Sequence, residues 1–282
     1  MITTELTGGL GNQLFQYAAA KALSLHHNTE LVLEISSFYK KDIPVLEVPR
    51  DFELHNFKGV SEKFIQQQSK EKKIEKVLPN YKRSVYKEPF YHYDKNFFKC
   101  KKNVFLKGVW QSEKYFKPFI PQITNSLQLK ESLVTSVLEK ANTIQSEKSI
   151  SVHIRHGDYL KNQAILNWHG VLEKEYYLTG IKKLMSLGCE KIYYFTDDIL
   201  WVENELNSTI PGEIISKNTK SHYEDFFLMQ QCQHNIIANS SFSWWAAYLN
   251  PNPNKIVIAP KNWFNKAPLN TKDLYPQEWM IF

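Results

Sequence analysis

SISVHIRHGDY (149–159) is the stretch from which the architecture of this chain is read. Its first six residues form a mostly apolar run of strand length. The run stops abruptly at Arg155, His156, Gly157 and Asp158. Four more runs share that form: KIYYFT (191–196), EIIS (213–216), NIIAN (235–239) and KIVIAP (255–260). Near-continuous apolar strands belong to sheets that are covered on both faces. Between them lie segments of helical spacing: EKEYYLTGIKKLMSLG (173–188), ILWVENELN (199–207), SHYEDFFLMQQC (221–232) and SFSWWAAYL (241–249). Gly188 is placed to close the first of these. Strands joined by helical crossovers imply a parallel, doubly wound sheet. Ligands of such sheets sit beyond the carboxyl ends of the strands. Those ends are Arg155 to Asp158, Thr196 to Asp198, Ser216 to Asn218 and Asn239 to Ser243, so four polar clusters far apart in sequence are expected at one edge.

The first half opens on a βαβ pattern: a strand ITTEL (2–6), the glycine turn TGGLG (7–11), a helix NQLFQYAAAKALSLHH (12–27) and a strand ELVLEI (30–35). From 36 to 100 the pattern gives way to aromatic- and lysine-rich segments, with a helix expected near 61–76. A strand VFLKGVW (104–110) and a helix around 127–145 follow. The polar run NTIQSEK (142–148) marks the expected division into domains 1–146 and 147–282. Two α/β domains facing each other across a cleft is the expected architecture.

Composition narrows the function. Lys+Arg number 35 against 29 Asp+Glu, a net charge of +6, and much of it is spread in pairs such as Lys101-Lys102. That pattern is a solvated surface without the concentrated patch of a nucleic-acid binder, compatible with an anionic small substrate or loose contact with an anionic membrane. Only Arg50, Arg83 and Arg155 are arginine. Cys100, Cys189 and Cys232 are odd in number and widely spaced, which disfavours a disulfide framework or a zinc site. No run of eighteen apolar residues suggests a membrane span, and MITTELTGGLGNQ has neither the basic nor the apolar region of a secretory signal. A cytoplasmic protein is expected, with peripheral contact at the inner membrane face allowed.

Strand alternation places His153 and Arg155 on one side, and an arginine there can grip a pyrophosphate with two parallel bonds. NSSFSWW (239–245) is read as a strand–helix junction where Asn239, Ser240, Ser241, Phe242 and Ser243 offer hydroxyls, an amide and backbone N–H groups to an anion, with a serine capping the helix. FTDD (195–198) puts two carboxylates at a strand end; one is expected to cap the next helix and the other to accept from a ligand's N–H or O–H groups. No Asp-x-Asp occurs, so a divalent metal is not expected. GGLGNQ (8–13) lacks the third glycine of a dinucleotide fingerprint, because position 14 is Leu14. Asn12 and Gln13 are then free to meet a sugar or phosphate, while the turn alone would explain the glycines.

Taken in order, GGLGNQLFQYAAAKAL (8–23), GVWQSEKYF (108–116), SVHIRHGDY (151–159), HGVLEKEYY (169–177), FTDD and NSSFSWWAAYLN (239–250) resemble the α1,2-fucosyltransferases of glycosyltransferase family 11, of the bacterial type, from end to end. The resemblance implies a GT-B-like fold with two Rossmann-like domains, an acceptor-side domain 1–146 and a GDP-fucose-binding domain 147–282. It implies inverting, metal-independent transfer of L-fucose from GDP-β-L-fucose to the 2-hydroxyl of a terminal galactose, with no cofactor. The acceptor would be a galactose-containing oligosaccharide or lipid-linked glycan of O-antigen or surface polysaccharide synthesis. The donor set would be His153, Arg155, Asp197, Asp198, Asn239, Ser240, Ser241, Phe242 and Ser243, with Asn12, Gln13, Trp110 and Gln111 toward the acceptor or a phosphate. His153 and Arg155 fall in a motif shared with α1,6- and protein O-fucosyltransferases, in which the arginine holds the diphosphate. His156 stands where those relatives commonly have a second arginine, so that contact is not carried over. Asp158 is the expected general base, with His156 and Glu5 as rivals. An NAD(P)-dependent oxidoreductase and a noncatalytic glycan-binding module are the alternatives.

Overall fold

The computed structural model describes residues 1–39, 49–67, 78–157, 163–265 and 268–282. It has two parallel sheets with helices, each sheet in its own compact unit: 1–128 with 269–276, and 129–268 with 277–282. The first division falls ahead of the expected 146/147, because the helix Leu138–Ser146 packs on the helix His222–Gln231 of the second unit. Among the described residues no helix is long and apolar enough to cross a membrane.

In the first unit the strands are β1 (Ile2–Glu5), β2 (Leu31–Glu34), β3 (Lys63–Ile65), β4 (Val85–Lys87) and β5 (Val104–Lys107), in the order β3-β2-β1-β5-β4 and all parallel. The helix expected near 61–76 is instead the strand β3 at 63–65, while 68–76 lie outside the described residues. Helix α1 (Leu10–His26) follows β1 through the glycine turn and is buried along most of its circumference. Its run Ala18-Ala19-Ala20 is wholly buried, and these small side chains let neighbouring elements approach the helix closely.

The second unit carries β6 (Ser149–Ile154), β7 (Lys191–Thr196), β8 (Glu213–Ile214), β9 (His234–Ile236), β10 (Val257–Ala259) and β11 (Met280–Ile281), ordered β11-β10-β9-β6-β7-β8 and all parallel. Numbered within the unit this is 3-2-1-4-5-6, the doubly wound order, and its direction reverses between β6 and β9. The helix Lys174–Met185 buries Tyr177, Gly180, Ile181 and Leu184, one face at helical spacing. A Cβ on Gly180 would lie 3.0 Å from Ile236 Cδ1, so this residue lets the helix lie close on β9. Gly188 takes a φ of 96° in the turn that leaves the helix. Ile150, Val152, Ile154, Tyr194, Ile236 and Ile258 complete this core, each worth about 1.5–3 kcal/mol on burial. Segment 199–207 is one helical turn, Ile199–Trp201, followed by a wider π-helical stretch, Val202–Asn207. Cys100, Cys189 and Cys232 are all buried free thiols.

The last residues cross between units. Asp273 belongs with the first, where its carboxylate accepts from Lys114 Nζ at 2.6 Å and Tyr93 N at 3.2 Å. β11 then returns to the edge of the second sheet, with Phe282 N donating to Ala259 O at 3.0 Å.

Candidate active site

The reversal between β6 and β9 leaves a crevice where the flanking crossovers depart to opposite faces. Arg155, His156 and Gly157 leave β6 on one side of it; Asn239 and Ser240 lead from β9 into the helix Ser241–Tyr248 on the other. The His153 and Phe242 rings, 5.6 Å apart, join the two. The converging polar edge expected from the strand ends is therefore present for β6, β7, β8 and β9. Thr196 N donates to Ser216 Oγ at 2.9 Å, tying the ends of β7 and β8 together.

Asp197 organises the β6 end. One oxygen takes the Arg155 Nη1 at 2.6 Å; the other takes His156 N at 2.9 Å and Gly157 N at 3.0 Å. A Cβ on Gly157 would stand 2.3 Å from Asp197 Oδ2, so glycine is needed for this approach. Burial pushes the Asp197 carboxyl up, but Arg155 and the two N–H donors outweigh it and hold the group below its usual value. Asp198 Oδ1 accepts from Trp201 N at 3.1 Å, capping the next helical turn, and Oδ2 lies 3.4 Å from His156 Nδ1. Both carboxylates are thus engaged inside the chain. These bonds give both carboxylates a positioning role within the chain, Asp197 with three donors on it and Asp198 with two among the described residues.

His153 is buried, and burial together with Arg155 lowers its pKa to about 3, Asp197 opposing, so it is neutral near pH 7. His156 is also buried and packs edge-on against Trp201 at 4.4 Å, which takes it away from the surface as a rival base. Asp158 lies outside the described residues. The β9 side divides in two. Asn239 is buried and anchors a loop, its Nδ2 donating to His169 O at 2.9 Å and Gly170 O at 3.3 Å, while its Oδ1 is buried without a hydrogen-bond partner among the described residues. Ser243 is wholly buried, donating to Ser240 O at 3.2 Å. Ser240 holds the N-cap position in extended backbone (φ −139°, ψ 123°), yet its side chain makes no capping bond, contrary to expectation. Ser241 and Phe242 are the partly exposed members.

The first unit presents a second polar edge, where β1 and β5 end. Gln13, expected to meet a ligand, is buried. Its Nε2 donates to Gly8 O and Asp51 O at 2.9 Å each, and its Oε1 accepts Glu53 N at 2.9 Å. Gln16, which sequence reasoning passed over, accepts Thr7 N at 2.9 Å and donates to Thr7 Oγ1 at 3.0 Å and Gly108 O at 3.2 Å. The two glutamines, three apart on α1, fasten the loops that follow β1 and β5 and the segment 51–53 between β2 and β3. Trp110 is corrected in the same way: it is fully buried, 5.6 Å from Tyr86 and 5.2 Å from Tyr115. Asn12 and Gln111 do come together: Gln111 is buried, its Nε2 donating to Asn12 Oδ1 at 2.8 Å and its Oε1 accepting from the Tyr91 hydroxyl, and Asn12 is the half-buried member of the pair. Gly8, at φ 74°, allows this corner, because a Cβ there would lie 2.7 Å from Asn12 Nδ2. Glu5, the other rival base, pairs with Lys107 at 3.4 Å.

The sequence profile described as glycosyl transferase family 11 matches residues 1–282, the whole chain. The chain belongs to glycosyltransferase family 11. Within this family it is similar to an α-1,2-colitosyltransferase of Escherichia coli, 31% identical over 99% of this chain and 98% of the relative. It is likewise similar to the O-antigen biosynthesis glycosyltransferase WbnK of Escherichia coli, 32% identical over 98% of each. Among solved structures, the fucosyltransferase NodZ from Bradyrhizobium aligns over 89% of this chain and 92% of that one, with TM-score 0.53 at 14% identity. The chain is a glycosyltransferase of GT-B-like α/β fold.

Proposed function

We propose that this glycosyltransferase transfers L-fucose from GDP-β-L-fucose to the 2-hydroxyl of a terminal galactose, inverting the anomeric centre without a metal, in O-antigen or surface polysaccharide synthesis. The observation that carries the reading is Arg155, held by Asp197 at the carboxyl end of β6 where the doubly wound sheet reverses. That is where such sheets bind nucleotides, and a guanidinium there can bridge two phosphate oxygens. As GDP departs its negative charge grows. Arg155 and the backbone N–H groups at the start of the helix Ser241–Tyr248, beside Ser240, Ser241 and Phe242, stabilise it without a cation. His153, neutral and packed on Phe242, shapes the floor of this site. The corner of the first unit at Asn12, half-buried and backed by the buried Gln111, receives the acceptor sugar. Asp158, one residue beyond the Gly157 amide that Asp197 holds, is the general base in this proposal.

Incubating the purified protein with GDP-fucose and a panel of β-galactosides in EDTA, then mapping the product linkage by NMR, tests the reading. An α1,2-fucosyl product formed at full rate is expected. Activity abolished by EDTA and restored by Mn²⁺ would overturn the metal-free mechanism, and a different linkage would overturn the acceptor assignment. The α-1,2-colitosyltransferase relative supports a second donor reading. Colitose lacks one ring hydroxyl of L-fucose, and a site built to hydrogen-bond that hydroxyl rejects the deoxy sugar strongly. Competition between GDP-fucose and GDP-colitose therefore decides the donor.

A further inference from the structure

Glu88 follows β4 and lies over the end of β5. Its N–H donates to Lys107 O at 2.8 Å, extending the β4–β5 ladder by one step. Its carboxylate accepts the backbone N–H of Val109 at 2.7 Å and that of Trp110 at 3.1 Å from each oxygen. The approach is close: a Cβ on Gly108 would stand 2.5 Å from Glu88 Cβ and 2.7 Å from Oε2.

The backbone held in this way is an unfavourable one. Trp110 has φ 54°, a region that a bulky aromatic residue rarely enters. Such a conformation persists only where its surroundings over-determine it. Here the buried indole, stacked on Tyr86, fixes one side and the Glu88 carboxylate the other. Ser112 N then closes on Trp110 O at 2.8 Å around Gln111, and this turn, with the Tyr91 hydroxyl donating to Gln111 Oε1, directs the Gln111 amide toward Asn12. A carboxylate in this place works against folding: burial pushes Glu88 up to about 7, against the two N–H bonds that lower it. A group that is costly to bury, spent on holding one strained turn, points to a role beyond packing.

We propose that Glu88 is a positioning residue for the acceptor: its carboxylate clamps the Val109–Trp110 backbone and so sets the buried Gln111, which holds Asn12 toward the sugar. This rests on the reading above that places the acceptor at that corner. The test compares Glu88→Gln, Glu88→Ala and Gln111→Ala in steady-state transfer at varied acceptor and at varied GDP-fucose, with thermal melting alongside. Glu88→Gln is expected to raise the acceptor KM about ten- to a hundredfold, the effect of losing one charge-assisted bond. The donor KM is expected to stay unchanged and the melting temperature to hold or rise, because a half-buried charge has been removed. Glu88→Ala, if it folds, should raise the acceptor KM further. A wild-type acceptor KM in Glu88→Gln, when Gln111→Ala raises it, overturns the role of Glu88 alone. A wild-type acceptor KM in Gln111→Ala overturns the acceptor placement, and the clamp with it. Donor KM, kcat and melting temperature all worsening together in Glu88→Gln would mark a purely structural glutamate and also overturn the proposal.

Discussion

Replacing Asp197 by asparagine separates two roles for this carboxylate: reading the donor's base, or holding Arg155. In the structure Oδ2 meets Arg155 Nη1 at 2.6 Å while Oδ1 serves the N–H groups of His156 and Gly157 at 2.9 and 3.0 Å. Asparagine keeps one oxygen for the two backbone donors and turns an amide NH₂ against the guanidinium. The lost bond is charge-assisted and only partly exposed, worth about 1.5–3 kcal/mol. If all of it is felt through a misplaced Arg155 in the transition state, transfer falls about ten- to a hundredfold. Arg155→Ala should lose on the order of 10²–10³ in rate, as removal of a charge-stabilising donor does. The double variant is decisive. Where one residue acts only through the other, Asp197→Asn added to Arg155→Ala costs almost nothing further. Steady-state transfer by the wild type, both single variants and the double variant, with GDP inhibition constants and circular dichroism, completes the cycle. Additive losses, with GDP inhibition weakened by Asp197→Asn in the Arg155→Ala background, would show that Asp197 meets the nucleotide itself and would refute the argument.

Gly157→Ala forces the same pair apart from the other side, since its Cβ would stand 2.3 Å from Asp197 Oδ2. Transfer should fall about tenfold or more, with the fold intact by circular dichroism; full activity would mean that the loop yields without moving the carboxylate. Gln16→Ala orphans Thr7 N and leaves a void against α1, and should destabilise the protein by about 2–4 kcal/mol in chemical denaturation. His153 has its pKa lowered from 6.5 to about 3 by burial, with Arg155 adding and Asp197 opposing, so between those values the unfolded chain binds the proton and the native state does not. Stability should therefore fall as pH drops from 6.5 toward 3, with this group contributing up to about 1.4 kcal/mol per pH unit, and His153→Phe should flatten that slope in denaturation curves.

The strands of the second sheet were legible because β6 and β7 are buried on nearly every residue, and a two-sided covering leaves an unbroken apolar run. The doubly wound order follows from connection rules once the strands are placed. β3 was not legible: Lys63 and Phe64 are exposed at a sheet edge and the strand has three residues, too few for a period to show. Nor was β11, two exposed residues whose pairing partner is β10. At the site, the residue types were visible but their loads were not. A sequence displays the carboxylates of Asp197 and Asp198, yet not the N–H groups already pointed at them. It displays Gln13 and Gln16, but α1 turns both inward to fasten loops. Glu88 sits in no recognisable motif; its one trace is Gly108, whose missing side chain makes room for it.

The passage of the chain back into the first unit at residues 269–276 sets an order of events during synthesis. Lys114 and Tyr93 emerge from the ribosome long before the Asp273 that both will contact. At translation rates of about 5–20 residues per second, the first unit waits roughly 8–30 s for that carboxylate after residue 114 has been made. β11 arrives later still to close the edge of the second sheet. A nascent chain stalled at residue 268 would carry a complete first sheet without the 269–276 segment that joins its unit, and a second sheet without β11, with the outer edge of β10 open to pairing with other chains.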